Sequence, residues 1–209
     1  MVMKRISAIL IVIVLLRGAG AQAQGWTISE YDFHAGIGFP ASPQSFYDYY
    51  KSGFNIGAGF ATRITDPLSF LGRLDYSAFS VDKARYYKGV DVDPDSSSIA
   101  GGSSTIITAS GLARYFPTKD IDLPIELLGG FALSYSYLGE SKATFGDLSY
   151  SQSARQYLIF SAIIGAGMSY PVAPNANLYV EGKDMLPLIR SSHANAGFTS
   201  ITLGVSLIR

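Results

Sequence analysis

The stretch Pro124-Ile-Glu-Leu-Leu-Gly-Gly-Phe-Ala-Leu-Ser-Tyr-Ser-Tyr-Leu-Gly139 decides the fold. Ile125, Leu127, Phe131, Leu133, Tyr135 and Tyr137 take alternate positions, and Glu126, Gly130, Ala132, Ser134 and Ser136 lie between them. Successive side chains of a β-strand point to opposite faces, so a period of two predicts a strand with one apolar and one polar face. The stretch is longer than the five or six residues of an ordinary strand. It has the length a tilted strand needs to cross a bilayer, about 9–11 residues.

Seven further stretches read the same way. Upstream are Tyr31–Phe39, Gly53–Arg63, Leu68–Ser80 and Ser104–Phe116; downstream are Arg155–Tyr170, Ala176–Met185 and Phe198–Ile208. The first, for example, sets Tyr31, Phe33, Ala35, Ile37 and Phe39 against Asp32, His34, Gly36 and Gly38. In Arg155–Tyr170, Ile159 and Ile163 blur the alternation. The connections alternate in length: 40–52, 81–103, 140–154 and 186–197 are long, whereas 64–67, 117–123 and 171–175 are shorter. The shorter ones carry or adjoin Pro67, Pro117, Pro124, Pro171 and Pro174, and proline suits turns and breaks strand ladders. Short turns at one end and long loops at the other are the plan of a membrane barrel with both termini inside.

Composition agrees. Of 209 residues, 48% are apolar and 15% charged, with 22 Gly and 14 Tyr. No cysteine is present, which excludes disulfides, thiol chemistry and Cys-ligated zinc. The formal charge of zero points to no nucleic-acid partner. The amino terminus has Lys4 and Arg5, an apolar run from Ile6 to Leu16, and Ala21-Gln-Ala23. This predicts a signal peptide over residues 1–23, cleaved between Ala23 and Gln24. Residues 24–209 are then one barrel domain, in which 13 basic residues face 16 acidic ones, a net charge of −3.

Alternation does not by itself say which face points inward. A soluble periplasmic ligand barrel of lipocalin type would turn its apolar face in and cover its outside with charge. Here the polar faces are mostly Gly, Ser, Ala and Thr, which suit the crowded interior of eight strands. The expected fold is therefore all-β: a closed, eight-stranded, antiparallel, up-and-down transmembrane β-barrel of the outer membrane. Arg73, Asp75, Arg114, Glu126, Glu181 and Lys183 should face the lumen and pair there as a charge network. Phe39, Tyr76, Tyr115, Tyr135, Tyr137 and Tyr170 end the apolar faces and should form aromatic girdles at the lipid–water boundaries.

The layout resembles the OmpA/OmpX-like family of small Gram-negative outer-membrane barrels, part of the porin superfamily, in its single-barrel members without a periplasmic domain. The residues that carry the likeness are Ser52-Gly-Phe-Asn-Ile-Gly-Ala-Gly-Phe60, Ile64-Thr-Asp-Pro67, Leu74-Asp-Tyr-Ser-Ala-Phe79 and Leu203-Gly-Val-Ser-Leu-Ile-Arg209. The resemblance implies a monomer in contact with outer-membrane lipid and lipopolysaccharide, inserted by the outer-membrane assembly machinery. It also implies that any extracellular protein or glycan is met through the long loops. The family usually ends on an aromatic residue, and Arg209 departs from that pattern.

Sites for chemistry are few, and no cofactor is expected. Asp91, Asp93 and Asp95 alternate in a long connection, but a calcium loop would want Gly and Glu where Ser96 and Gly102 stand; no metal site is assigned. His34 should bond an interior carboxylate such as Asp32. His193, in Arg190-Ser-Ser-His-Ala-Asn-Ala-Gly197, faintly resembles the His-x-Ser motif of outer-membrane lipid A deacylases. Asn195 stands where that motif has its serine, so a lipid-modifying enzyme is kept as the alternative and no residue is assigned a catalytic role. Phe46-Tyr-Asp-Tyr-Tyr50 and Tyr86-Tyr87 suit either loop contacts or an upper girdle.

Overall fold

The computed structural model describes residues 28–89, 97–117, 125–145, 148–188 and 196–209. The elements in order are β1 (Ile28–Ser42), α1 (Gln44–Tyr49), β2 (Gly53–Thr65), β3 (Leu68–Phe79), α2 (Lys83–Gly89), β4 (Ser97–Gly101) and β5 (Ser104–Tyr115). There follow β6 (Ile125–Leu138), β7 (Ser141–Phe145), β8 (Leu148–Gln152), β9 (Arg155–Ala173), β10 (Ala176–Pro187) and β11 (Gly197–Ile208). Strands β1, β2, β3, β5, β6, β9, β10 and β11 form one closed antiparallel barrel, sealed where β1 pairs with β11 from Glu30↔Ile208 to Ser42↔Gly197. The predicted signal peptide and its cleavage site, Ala23–Gln24, lie outside the described residues, as do Asp91, Asp93, Asp95 and His193.

The apolar faces point outward. Phe33, Ile37, Phe54, Leu74, Phe131, Leu158 and Leu203 are each more than half exposed, whereas Asp32, Ser77, Ser134, Ser161 and Thr202 are fully enclosed. This is the inverse of a soluble barrel and overturns the lipocalin-type alternative, because so continuous an apolar wall is stable only against hydrocarbon. Ile159 and Ile163, which blurred the pattern of β9, point inward.

Three departures from the expected strands have local causes. β1 runs beyond Phe39 through Pro40, where a register shift between Pro40 and Ser42 absorbs the missing amide. β9 runs through Pro171, which the sequence placed in a turn, and the pairing slips beside it between Ala176 and Asn177. Proline is tolerated in a strand at such irregularities. The long connections are also more ordered than expected. Two carry the short helices α1 and α2, and β4, β7 and β8 form a separate three-stranded sheet. Ser141–Phe145 and Leu148–Gln152 span only five residues each, too few for an alternation to stand out.

The barrel is filled. At the long-loop end, hereafter the outer end, Phe46 of α1 packs edge-on against Phe79 at 5.1 Å, and Phe79 against Phe198 at 5.3 Å, beside Ile106 and Met185. Towards the other end the inward faces carry Ala61, Leu71, Leu112 and Leu128. Between these apolar layers lies the larger of two polar clusters, and the smaller lies beyond the lower layer.

Candidate functional site

The lumen collects its charges from strands far apart in sequence. Asp32 and His34 come from β1, Arg73 and Asp75 from β3, and Tyr179, Glu181 and Lys183 from β10. The order β10, β11, β1, β2, β3 sets these pairs side by side across the narrow interior. Arg73 Nε donates to Asp32 Oδ1 at 2.9 Å, and its Nη1 to Glu181 Oε1 and Oε2 at 2.6 and 2.7 Å. The Tyr179 hydroxyl donates to Asp32 Oδ1 at 3.1 Å. Lys183 Nζ stands 3.3 Å from Glu181 and 3.6 Å from Asp75. His34 Nε2 shares a 2.6 Å hydrogen bond with Asp75 Oδ1, while Asp32 lies 3.5 Å from Nδ1. His34 thus bonds chiefly to Asp75 and not to Asp32, because β2 places its glycines between β1 and β3. A Cβ on Gly57 would lie 2.6 Å from His34 Nε2 and 2.8 Å from Asp75 Oδ1, and one on Gly59 would lie 2.6 Å from Arg73 Cγ.

A second group sits nearer the short-turn end. Arg114 on β5 holds both carboxylate oxygens of Glu30, one of them at 2.9 Å, and its Nε is 3.9 Å from Glu126. The structure therefore brings together Arg73, Asp75, Glu181 and Lys183 in one cluster and Arg114 with Glu126 in another. Sequence reasoning missed Glu30, which lies one residue before the predicted start of the first strand yet in step with Asp32 and His34. A cavity of about 20 Å³ borders the first cluster between Asn55, Asp75, Thr108, Lys183 and Ser200. It has about the size of one water molecule. Among the described residues no group of His, Cys, Asp or Glu is placed to hold a metal ion.

The candidate girdle residues divide between the ends. Phe39, Tyr76, Tyr135 and Tyr137 lie in the outer parts of their strands, and Tyr115 and Tyr170 near the opposite rim. All but Tyr137, which is half-buried, are well exposed on the outward wall.

At the outer end the aromatic loop residues mostly bind one another. The Tyr49 and Tyr86 rings lie 5.1 Å apart, and Tyr50 packs on Phe46 at 4.9 Å. The Tyr50 hydroxyl donates to the Gly102 carbonyl at 2.8 Å. Burial pushes that hydroxyl up to about 12, so it stays a neutral donor. Tyr47 and Tyr150 remain exposed, Tyr150 on the raised strand β8.

No family model matches the sequence, and no curated protein matches it. Solved structures do. Neisserial surface protein A superposes with a TM-score of 0.54 at 14% identity, covering 89% of this chain and 100% of that one. A major outer membrane protein from Thermus thermophilus gives 0.53 at 12% identity, covering 87% of this chain and 99% of that one. At such identities the likeness is one of fold, and it is the small OmpA/OmpX-like outer-membrane barrel that the residues led us to expect. With its outward apolar wall, the chain is a transmembrane β-barrel with the fold of the small outer-membrane barrels.

Proposed function

We propose that this barrel works from its outer end, as a non-enzymatic surface-interaction protein, with the transmembrane part as a rigid, filled support. The observation that carries this reading is the contrast between the two regions. The interior is occupied by two ion-pair groups and closed by the Phe46–Phe79–Phe198 stack, which leaves little room for transport. Above it, two different long connections combine into the sheet β4–β7–β8, which is separate from the barrel. Strand β8 pairs with β7 and, among the described residues, with no other strand; Ser149, Tyr150, Ser151 and Gln152 are exposed along it. An open strand edge with an exposed tyrosine suits an extended protein segment or a glycan. Lipid and lipopolysaccharide are the surroundings of the wall in this reading, and the barrel is a monomer.

The test is binding of the barrel in lipid nanodiscs to a panel of extracellular-matrix proteins and glycans, with residues 141–152 intact or replaced by a Gly-Ser linker. We expect binding that the replacement abolishes; binding indifferent to the replacement, or none, overturns the reading. His193→Ala is expected to leave the lipid A acylation of the host membrane unchanged, and an altered acylation pattern would instead favour the lipid-modifying alternative.

A further inference from the structure

One residue breaks the rule of the outward wall. Asp184 of β10 falls in step with Leu178, Val180 and Leu186, so its side chain leaves the barrel on the lipid side. It does not lie at a rim. Leu186 and Leu188 continue the apolar surface beyond it, and Leu178 and Val180 precede it on the same strand. Its neighbours across the ladders are Ile164 on β9 and Thr199 on β11. The Thr199 hydroxyl donates to Asp184 Oδ1. Among the described residues, Asp184 is the one acidic or basic side chain on the outward wall between the rims. The luminal carboxylates Glu30, Asp32, Asp75, Glu126 and Glu181 each lie against Arg, Lys or His. Asp184 has a hydroxyl for company.

Below Asp184, and on either side of the projecting Ile164, the wall is low. A Cβ added to Gly129 would meet nothing within 4 Å, and one added to Gly182 only the Ala166 carbonyl, at 4.0 Å. Another backbone can therefore come close here. Hydrocarbon offers a carboxylate neither a hydrogen bond nor an opposite charge, so an acid held on the lipid face is costly and calls for a partner.

We propose that Asp184, with the low surface formed by Gly129, Ala166 and Gly182, is a lateral docking site for a second membrane-embedded protein segment that brings a Lys or Arg to the carboxylate. Charge complementarity selects this occupant. Acyl chains have no donor to offer at this position, and a second copy of this chain presents no basic side chain on its described wall between the rims. The proposal rests on the reading that the wall faces lipid.

The test uses the full barrel, reconstituted in phosphatidylcholine vesicles and labelled at a cysteine introduced by Ser151→Cys, the chain having none of its own. The probe is a synthetic Leu-Ala transmembrane helix with one Lys in its outer half, set against the same helix with Leu in its place, and association is read by energy transfer. Wild-type barrel should bind the Lys helix about tenfold more tightly than the Leu helix, as hydrogen-bonded and charged contacts in membranes allow. Asp184→Asn and Asp184→Leu should erase that preference. Asp184→Leu should also leave the urea midpoint of the barrel unchanged or raised, since it removes a carboxylate from the lipid face. If the Lys helix shows no preference, and Asp184→Leu and Thr199→Val lower the midpoint alike, the pair merely ties β10 to β11 and the proposal fails. Energy transfer between two differently labelled barrels that Asp184→Leu abolishes would assign the surface to a second copy and overturn the basic partner. A barrel that does not float with vesicles would instead refute the membrane reading.

Discussion

Arg73 is the residue on which the interior turns. It is enclosed between Asp32 and Glu181, and its removal leaves two buried carboxylates without their principal cation. Taking both partners of a buried pair away can be neutral, but taking one away is strongly destabilising. Arg73→Met should therefore lower the stability of the folded barrel by about 3–5 kcal/mol, measured by urea unfolding in lipid vesicles. A loss close to zero would mean that the lumen is hydrated enough to solvate the stranded acids. Of the network, Arg73, Asp75, Arg114, Glu126, Glu181 and Lys183 were legible because each occupies a polar-face position in a strand with clear alternation. Glu30 was not, because the first strand's period becomes visible only at Tyr31. The preference of His34 for Asp75 was also out of reach, since it depends on β2 lying between the two strands with Gly57 at the point of contact. Asp184 was present in the alternation, in step with Leu178 and Val180, and its oddity is plain once the wall is known to face outward.

At the scale of elements, the barrel strands and the loop strands should respond differently to injury. Ala132 lies in the middle of β6, paired to Ser110 on one side and Ser161 on the other. Ala132→Pro removes a ladder amide and should prevent closure of the barrel. Ser149→Pro in β8, or replacement of residues 141–152 by a short Gly-Ser linker, should leave closure intact, because β7 and β8 pair only within their own small sheet among the described residues. Resistance of the folded band to detergent before boiling separates the two cases, and equal damage from both changes would show that the raised sheet belongs to the folding unit. The eight barrel strands were legible because each is long and has unlike faces. The helices α1 and α2 and the strands β4, β7 and β8 span only five to seven residues each, too few for any period to emerge.

For the whole molecule, closure and filling together set the behaviour. A barrel with no free edge and a cross-linked interior should resist dodecyl sulfate until heated. Boiled and unboiled samples should therefore migrate differently on a gel, and identical migration would count against a closed barrel. With the aromatic stack at its mouth and ion pairs across its middle, the wild-type protein should give no sustained open level in planar bilayers; a steady conductance would show that the luminal groups part under voltage.

The sequence by itself determined that the chain is a series of eight long two-faced strands joined by alternately long and short connections. That information is local, because a period of two and a proline turn need no knowledge of distant residues. Only the tertiary structure decided which charge meets which, since Arg73 is 108 positions from Glu181 and 41 from Asp32, and closure of the sheet alone makes them neighbours. It also decided that Phe46 stoppers the mouth, and that Asp184 stands on the lipid side with Thr199 as its companion. These outcomes depend on register and curvature around the ring, which no single strand encodes.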